Sequence, residues 1–399
     1  MLQALQRQRF VAVSRVSDEG ALLRLSGAPL SVVWVNPSRG ISMVGLGVCA
    51  EGGGEVSLPV ELPAGPWFGG WGFDARRPWP DFDHERWVLP EVLAWWNGRQ
   101  TVLLAFGAEG ASTVELERRL DAVEEVEPIV TRAPVRRLGD GRAAYERLVG
   151  QALARLGPEV SKLVVARAIE LESDAPFPER AVLKALEARN PSCWTFLVRG
   201  RDGAAFVGSS PELLCEARGR RYCTDALAGT APADEGERLL ASEKDQREHQ
   251  AVVDELRARL DGFVTRLEVP PAPALKRLSQ VAHLHTPITA QLREGVTALE
   301  VARALHPTPA VAGSPPARAQ EWLGSHEDFV RGWYTGAVGA VGPDSVTLAV
   351  ALRSAVLRGA RATAFVGAGV VRGSTPESEW LETERKARTM LGALGVEDV

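Results

Sequence analysis

A long β-hairpin near the C-terminus constrains this chain more than any other feature. VTLAVALRSAVL (346–357) and ARATAFVGAGVV (360–371) are apolar runs of strand character, joined at Arg358-Gly359. Strands joined by so short a turn pair antiparallel. Upstream, strands expected over 162–170, 194–199, 204–207 and 213–217 alternate with helices at about 178–188, 236–261, 296–304 and 377–391. A helix over 142–156 ends at Gly157-Pro158, where glycine and proline stop it. Long antiparallel strands with intervening helices predict α+β layers and not a parallel doubly wound sheet.

The first 120 or so residues read as short strands, VVWV (32–35), ISMVGLGV (41–48) and TVLLAFG (101–107), followed by a charged amphipathic helix over 109–126. The Pro-containing stretch EPIVTRAPVRRLGDG (127–141) is the best internal boundary. It divides an N-terminal β-rich part, 1–130, from a C-terminal region, 131–399.

Of 399 residues, 45% are hydrophobic and 24% charged, with a net charge of −5, ordinary for a globular protein. That balance argues against a nucleic-acid partner, which wants a basic face. The tryptophans of PWFGGWGFD (66–74), RRPWPDF (76–82) and EVLAWWNG (91–98) therefore read as core strands beside Gly-rich turns, and not as a base-stacking surface. Four cysteines without CxxC spacing read as thiols in a reducing compartment. The N-terminal residues are too charged for a signal peptide, and no apolar run approaches the roughly 20 residues a membrane span needs. The expectation is a soluble cytoplasmic protein with no membrane partner.

Two carboxylate pairs, Asp245/Glu248 and Glu379/Glu382, are each three residues apart on predicted helices and so share a helix face. Like charges at that spacing repel, and a hard cation relieves the repulsion. Mg2+ takes carboxylate oxygens and keeps positions for water and an anionic ligand. Each helix also has a purely structural reading: Lys244/Glu248, Glu243/Arg247 and Glu382/Lys386 are i,i+4 pairs on solvated faces. Thr375 or Ser374 can cap the second helix, with Pro376 in its first turn.

Elsewhere, Gly208-Ser209-Ser210-Pro211-Glu212 carries helix-start signals, a serine cap and then proline. In the 346–357 strand, Arg353 stands on a face of small residues, which reads either as a gap that a carboxylate would fill or as an edge arginine reaching solvent. Gly367-Ala368-Gly369 and Leu227-Ala228-Gly229-Thr230 end strands, where glycine lets backbone N–H groups approach an anion, although turns use glycine as often. His283 and His285 share a strand face but lack an obvious third metal ligand.

Taken together, the segments resemble the chorismate-utilising enzymes, and among them the isochorismate synthases. The matching blocks include KLVVARAIEL (162–171), FVGSSPELL (206–214), DALAGT (225–230), LLASEKDQREHQAVVDEL (239–256), HLHTPI (283–288), LHPTPAVAGSP (305–315), YTGAVGAVG (334–342), VALRSA (350–355) and FVGAGVVRGSTPESEWLETERKARTML (365–391). They run in family order from Lys162 to Leu391, while 1–130 matches only loosely. The resemblance implies large antiparallel sheets forming a sandwich with helices outside, and a Mg2+ site in a deep cleft of the 131–399 region. By that analogy Glu248 and Glu382 bind the metal directly, and Asp245 and Glu379 support it through water. Gly229, Thr230, Ala310, Arg353, Gly367, Gly369 and Lys386 would surround the substrate, chorismate.

The reaction so implied adds water at C2 of chorismate as the C4 hydroxyl departs. Lys162 matches the family's base and Glu212 its acid. A lysine base needs its proton affinity lowered, by burial and a nearby cation. A carboxylate-rich pocket would raise that of Glu212 toward the working pH. Ammonia-using relatives such as anthranilate synthase component I carry Gln in place of Lys162. Aminodeoxychorismate synthase uses Lys where Ala228 stands, and salicylate synthases have Thr where this chain has Ala310. The resemblance therefore points to water as nucleophile, with no glutaminase subunit, in a monomer or weak homodimer. Salicylate synthase, an ammonia-dependent chorismate enzyme and a catalytically silent chorismate-binding paralogue are the alternatives.

Overall fold

The computed structural model describes residues 10–17, 25–26, 29–53, 65–96, 98–108, 110–125 and 133–396. Among them, strands form a 12-stranded sheet, a 10-stranded sheet and one small two-stranded pair. The pairings that build the two large sheets are antiparallel. Period two sorts the side chains. In the Leu30–Asn36 strand, Val32 and Trp34 join the core between the sheets, while Val33 and Val35 join the core under the helices.

The inner core is aromatic. Trp79 lies with ring centroids 5.4 Å from Phe206 and 5.3 Å from Phe365, one contact edge-on and one stacked. Helices Thr113–Asp121, Glu179–Arg189 and Pro376–Ala393 cover the outer face of the larger sheet through Leu116, Leu183 and Leu391. Glu243–Leu260 and Ala298–Leu305 pack against the smaller one. This is the α+β sandwich with outer helices that the resemblance implied.

The Trp67–Trp71 strand is buried along its length and pairs with both Glu85–Leu89 and Ala337–Val341. Its glycines lie inside the strand and not in turns: a Cβ on Gly70 would stand 1.8 Å from the Ala337 carbonyl oxygen. Strands from before residue 130 thus pair directly with later ones in both sheets. Of the expected boundary stretch 127–141, residues 127–132 lie outside the described ones.

Two of the local expectations fail at the same place. The 346–357 run is not one strand. Ser345–Val350 belongs to the smaller sheet, Ser354–Arg358 to the larger, and the chain turns between them, with Arg353 in the left-handed region at φ 48°. Beside it the chain crosses in the opposite direction, from Ala205–Ser210 in the larger sheet to Leu213–Arg218 in the smaller. No helix begins at Ser210; Pro211-Glu212 is the corner. The crossings are joined by Val350 N–H donating to the Glu212 carbonyl at 3.0 Å and Ser209 N–H to that of Arg353 at 3.2 Å. Corners where strands switch sheets are a standard device of packed sheets. Here they put Glu212 and Arg353 on adjacent crossings between the sheets.

The helix expected over 236–261 is two, Glu237–Ala241 and Glu243–Leu260, divided at Ser242, whose Oγ accepts from Asp245 N–H at 3.2 Å. Leu227–Thr230 does not end a strand. Arg221–Pro232 continues past it, with an irregular register between Ala228 and Ala231 that puts Gly229 at φ 70°.

Candidate active site

A cavity of about 380 Å³ opens between the sheet corner, the Lys162–Ser173 and Arg361–Val370 strands, and helices Glu243–Leu260 and Pro376–Ala393. All thirteen residues singled out in the sequence line it: Lys162 and Glu212, the four carboxylates, and Gly229, Thr230, Ala310, Arg353, Gly367, Gly369 and Lys386.

Lys162 starts its strand and is 8% exposed. Its side chain lies across the neighbouring strand at Gly369, where a Cβ would come within 2.9 Å of its Cε. That close approach, more than anion binding, accounts for the glycine. The strand is pinned from behind by a buried pair. Glu327 accepts from Ala166 N–H at 2.9 Å, while Arg331 pairs with Glu327 and donates to the Val164 and Val311 carbonyls.

The lysines and carboxylates meet directly. Lys162 Nζ donates to Glu248 Oε1 at 2.7 Å, and Lys386 Nζ donates to Glu382 Oε1 at 2.7 Å and the Gly367 carbonyl at 3.3 Å. The Glu382–Lys386 pair is the expected i,i+4 one, but Glu248 takes Lys162 from a distant strand. Burial pushes the Glu248 carboxyl up, and Lys162, with Lys244 and Lys386 further off, outweighs it and holds the group below its ordinary value. Glu379 goes the other way, raised by burial first and then by the Glu382 charge.

Among the described residues, no three His, Cys, Asp or Glu side chains gather into a ready-made metal cluster. The donor chemistry nevertheless suits Mg2+: four carboxylates from two helices share one cavity.

Glu212 sits in a different setting, 2% exposed, and among the described residues its carboxylate accepts from Thr308 Oγ1 alone, at 3.2 Å. Its pKa is pushed up to about 7, by burial foremost and only in small part by the nearby Asp225. The expected direction is right. The expected cause, a carboxylate-rich pocket, is the lesser one.

Arg353 offers the cavity a guanidinium whose Nη1 is buried without a hydrogen-bond partner among the described residues. An unpaired buried guanidinium nitrogen is costly unless a ligand completes it. His283 Nδ1 lies 3.0 Å from the Gly229 carbonyl and 3.3 Å from Thr230 Oγ1, fixing the irregular backbone there. Burial, and then Arg353 and Lys386, hold that imidazole's pKa down to about 3, so it is neutral and its Nδ1–H serves the carbonyl. His285 turns instead to Asp225, at 2.8 Å.

Sequence reasoning passed over Tyr334, Thr308 and Arg385. Tyr334 lines the cavity, stacked on Phe365 at 5.3 Å. Arg385 also lines it, its Nε buried without a partner. Tyr334 and Thr308 lie in motif blocks, but only the fold shows which way they face. For Arg385, one helical step before Lys386, the signal was the helix period itself.

The chain is similar over most of its length to known proteins. The isochorismate synthase MenF of Pasteurella multocida is 35% identical over 296 residues, 71% of this chain and 67% of its own length. The salicylate biosynthesis isochorismate synthase of Pseudomonas aeruginosa is 33% identical over 441 aligned positions, covering 98% of this chain and 91% of that one. The solved structure of MenF, the menaquinone-specific isochorismate synthase of Escherichia coli, superimposes with a TM-score of 0.84 over 98% of both chains at 26% identity. Residues 60–395 match the family described as chorismate binding enzyme, and the chain belongs to that family.

Proposed function

We propose that this chain converts chorismate to isochorismate. Lys162 takes a proton from the water that adds at C2. The ring double bonds shift, the C4–O bond breaks, and Glu212 gives its proton to the departing hydroxyl, which leaves as water. One proton enters the protein and one leaves it, so the reaction is an isomerisation that exchange with solvent resets. The observation that carries this reading is the pairing of a lysine and a protonated glutamic acid on one cavity. They stand on different elements, and Glu212 titrates at about 7, where a general acid works best near neutral pH.

Arg353, Lys386 and the backbone at Gly229, Thr230, Gly367 and Gly369 would hold the two carboxylates of the substrate, with Ala310 leaving room beside the ring. Glu248 and Glu382, with Asp245 and Glu379 beside them, would hold Mg2+, which would supply positive charge for a substrate carboxylate. Lys162 and Lys386 now hold those same oxygens. With a cation on those carboxylates, both lysine side chains would be released toward the substrate, and Lys162 would have to stand as the neutral amine to take the water's proton.

The test is incubation with chorismate and Mg2+ followed by chromatographic separation of products. Isochorismate alone is the expected result. Salicylate with pyruvate, anthranilate on adding ammonium, or tight binding without turnover would each overturn it in favour of another chemistry.

A further inference from the structure

Behind Glu212 lies a part-buried charged pair that the reaction as proposed does not use. Lys276, on the short Ala274–Arg277 strand, donates from one ammonium group to the Pro211 carbonyl at 2.5 Å and to Asp225 Oδ2 at 3.1 Å. Asp225, 9% exposed, lies on the Arg221–Pro232 strand, its other oxygen 2.8 Å from His285 Nε2. Burying an ion pair seldom stabilises a fold better than apolar residues of the same size would. Its location is more telling, because the carbonyl it holds belongs to the peptide immediately before Glu212.

The other polar groups at this corner already have partners. Glu212 N–H donates to Ser210 Oγ at 3.2 Å, the Glu212 carbonyl takes Val350 N–H, and the carboxylate takes Thr308. We infer that Lys276 is a positioning residue for Glu212, clamping the Pro211-Glu212 corner to the Arg221–Pro232 strand through Asp225 and so fixing where the acid's carboxyl stands in the cavity. The inference deepens the proposed reaction and rests on it for the role of Glu212.

The clamp has an electrostatic side as well. The charged groups that act on Glu212 are Asp225, Lys276 and Lys162; Asp225 raises its proton affinity and the two lysines lower it. Removing the Lys276 ammonium takes away one lowering charge and uncovers Asp225. Glu212 must then keep its proton to higher pH. Neutralising Asp225 as well cancels most of that change but does not restore a partner for the Pro211 carbonyl.

Lys276→Met keeps the aliphatic stem and deletes only the charge. The variant is assayed for kcat and KM on chorismate. Separately, without substrate, the Glu212 carboxyl is titrated by NMR of protein labelled with 13C at the glutamate carboxyls, its resonance assigned by its loss in Glu212→Gln. The expected result is a kcat lower by about tenfold or more with KM nearly unchanged, as for a lost charge-assisted hydrogen bond felt in the transition state. The Glu212 midpoint rises in Lys276→Met and returns in Lys276→Met/Asp225→Asn, while kcat stays low in both. Asp225→Asn alone, which keeps the lysine, lowers the midpoint, and provides the reading should Lys276→Met fail to fold. An unmoved midpoint, or a kcat that matches the wild type, overturns the clamp. Because the titration needs no substrate, a shifted midpoint in a protein that leaves chorismate unchanged would sink the proposed reaction and keep the clamp.

Discussion

Glu212 and Glu248 face the same cavity, and their carboxyls move in opposite directions. Burial is the largest influence on each and raises both. Glu248 ends below its ordinary value because an ammonium touches it, Lys162 at 2.7 Å. Glu212 has a single hydroxyl from Thr308, and the charge of Asp225 adds to its burden, so it rises to about 7. Depth alone therefore does not decide the protonation state; contact with a cation does. The elements enforce the division. The helices and the Lys162 strand make an ionised wall, and the sheet corner makes a protonated one.

The hardest blow to this contrast removes the two groups that define it. Lys162→Ala and Glu212→Gln should each lower kcat by about 10²- to 10⁴-fold, the range for a lost general base or acid. Chorismate binding, followed by calorimetry, should survive both. A variant with wild-type turnover would strip that residue of its role. The ionised wall is probed next by Glu382→Ala, which should weaken Mg2+ and chorismate together. The loss in metal affinity should be at least the ~10- to 100-fold that follows loss of an outer-shell partner. Calorimetric titration with Mg2+ alone that gave the wild-type affinity would remove Glu382 from the ligand set.

A third measurement compares the walls without turnover. Between 4.5, the ordinary value, and about 7, folded Glu212 keeps a proton that the unfolded chain has released. Stability therefore falls as pH rises through that window. Glu212→Gln should match the wild type below it and exceed it above by something of order 3 kcal/mol. Glu248 is lowered on folding, so its contribution is present above 4.5 and disappears as pH falls through its folded value. Glu248→Gln should thus destabilise at neutral pH. Urea titrations of the two variants at pH 8 should move in opposite directions, and a common direction would break the comparison.

The sequence made the fold class legible because apolar runs of period two and the Gly359 turn are local signals that no tertiary contact reverses. The corner left no such mark. Ala351-Leu352-Arg353 contains neither Gly nor Pro, and the alternation of Val346, Leu348, Val350 and Leu352 reads straight through the break. Ser210-Pro211 is indistinguishable locally from a helix start; only pairing with the neighbouring crossing makes it a turn. The charged residues of the site could be picked out from helix faces and motif blocks, and so could the helix-local partner Lys386 of Glu382, but the long-range partners could not. Lys244 was the local candidate for Glu248, and the fold supplied Lys162, 86 positions away. Lys276 and Thr308 lay beyond reach for the same reason, since a lysine on a short strand and one threonine among many acquire meaning only by proximity to Glu212.

The smallest expected effect is also the one that discriminates most finely. Thr308→Val deletes the hydroxyl that donates to Glu212 and keeps its shape. A donor favours the charged carboxylate, so losing it should raise the proton affinity of Glu212 further. The alkaline limb of the kcat profile should then move to higher pH, with the plateau falling only about two- to tenfold, as for one ordinary hydrogen bond. The direction of that movement is the test. If Glu212 instead donated its own proton to Thr308 Oγ1 as acceptor, the same substitution would remove a contact that favours the neutral acid, and the limb would move down. A downward shift would mean that Thr308, and not burial, keeps the proton on Glu212, and the division between the two walls would then rest on one hydroxyl group instead of on the sheet corner.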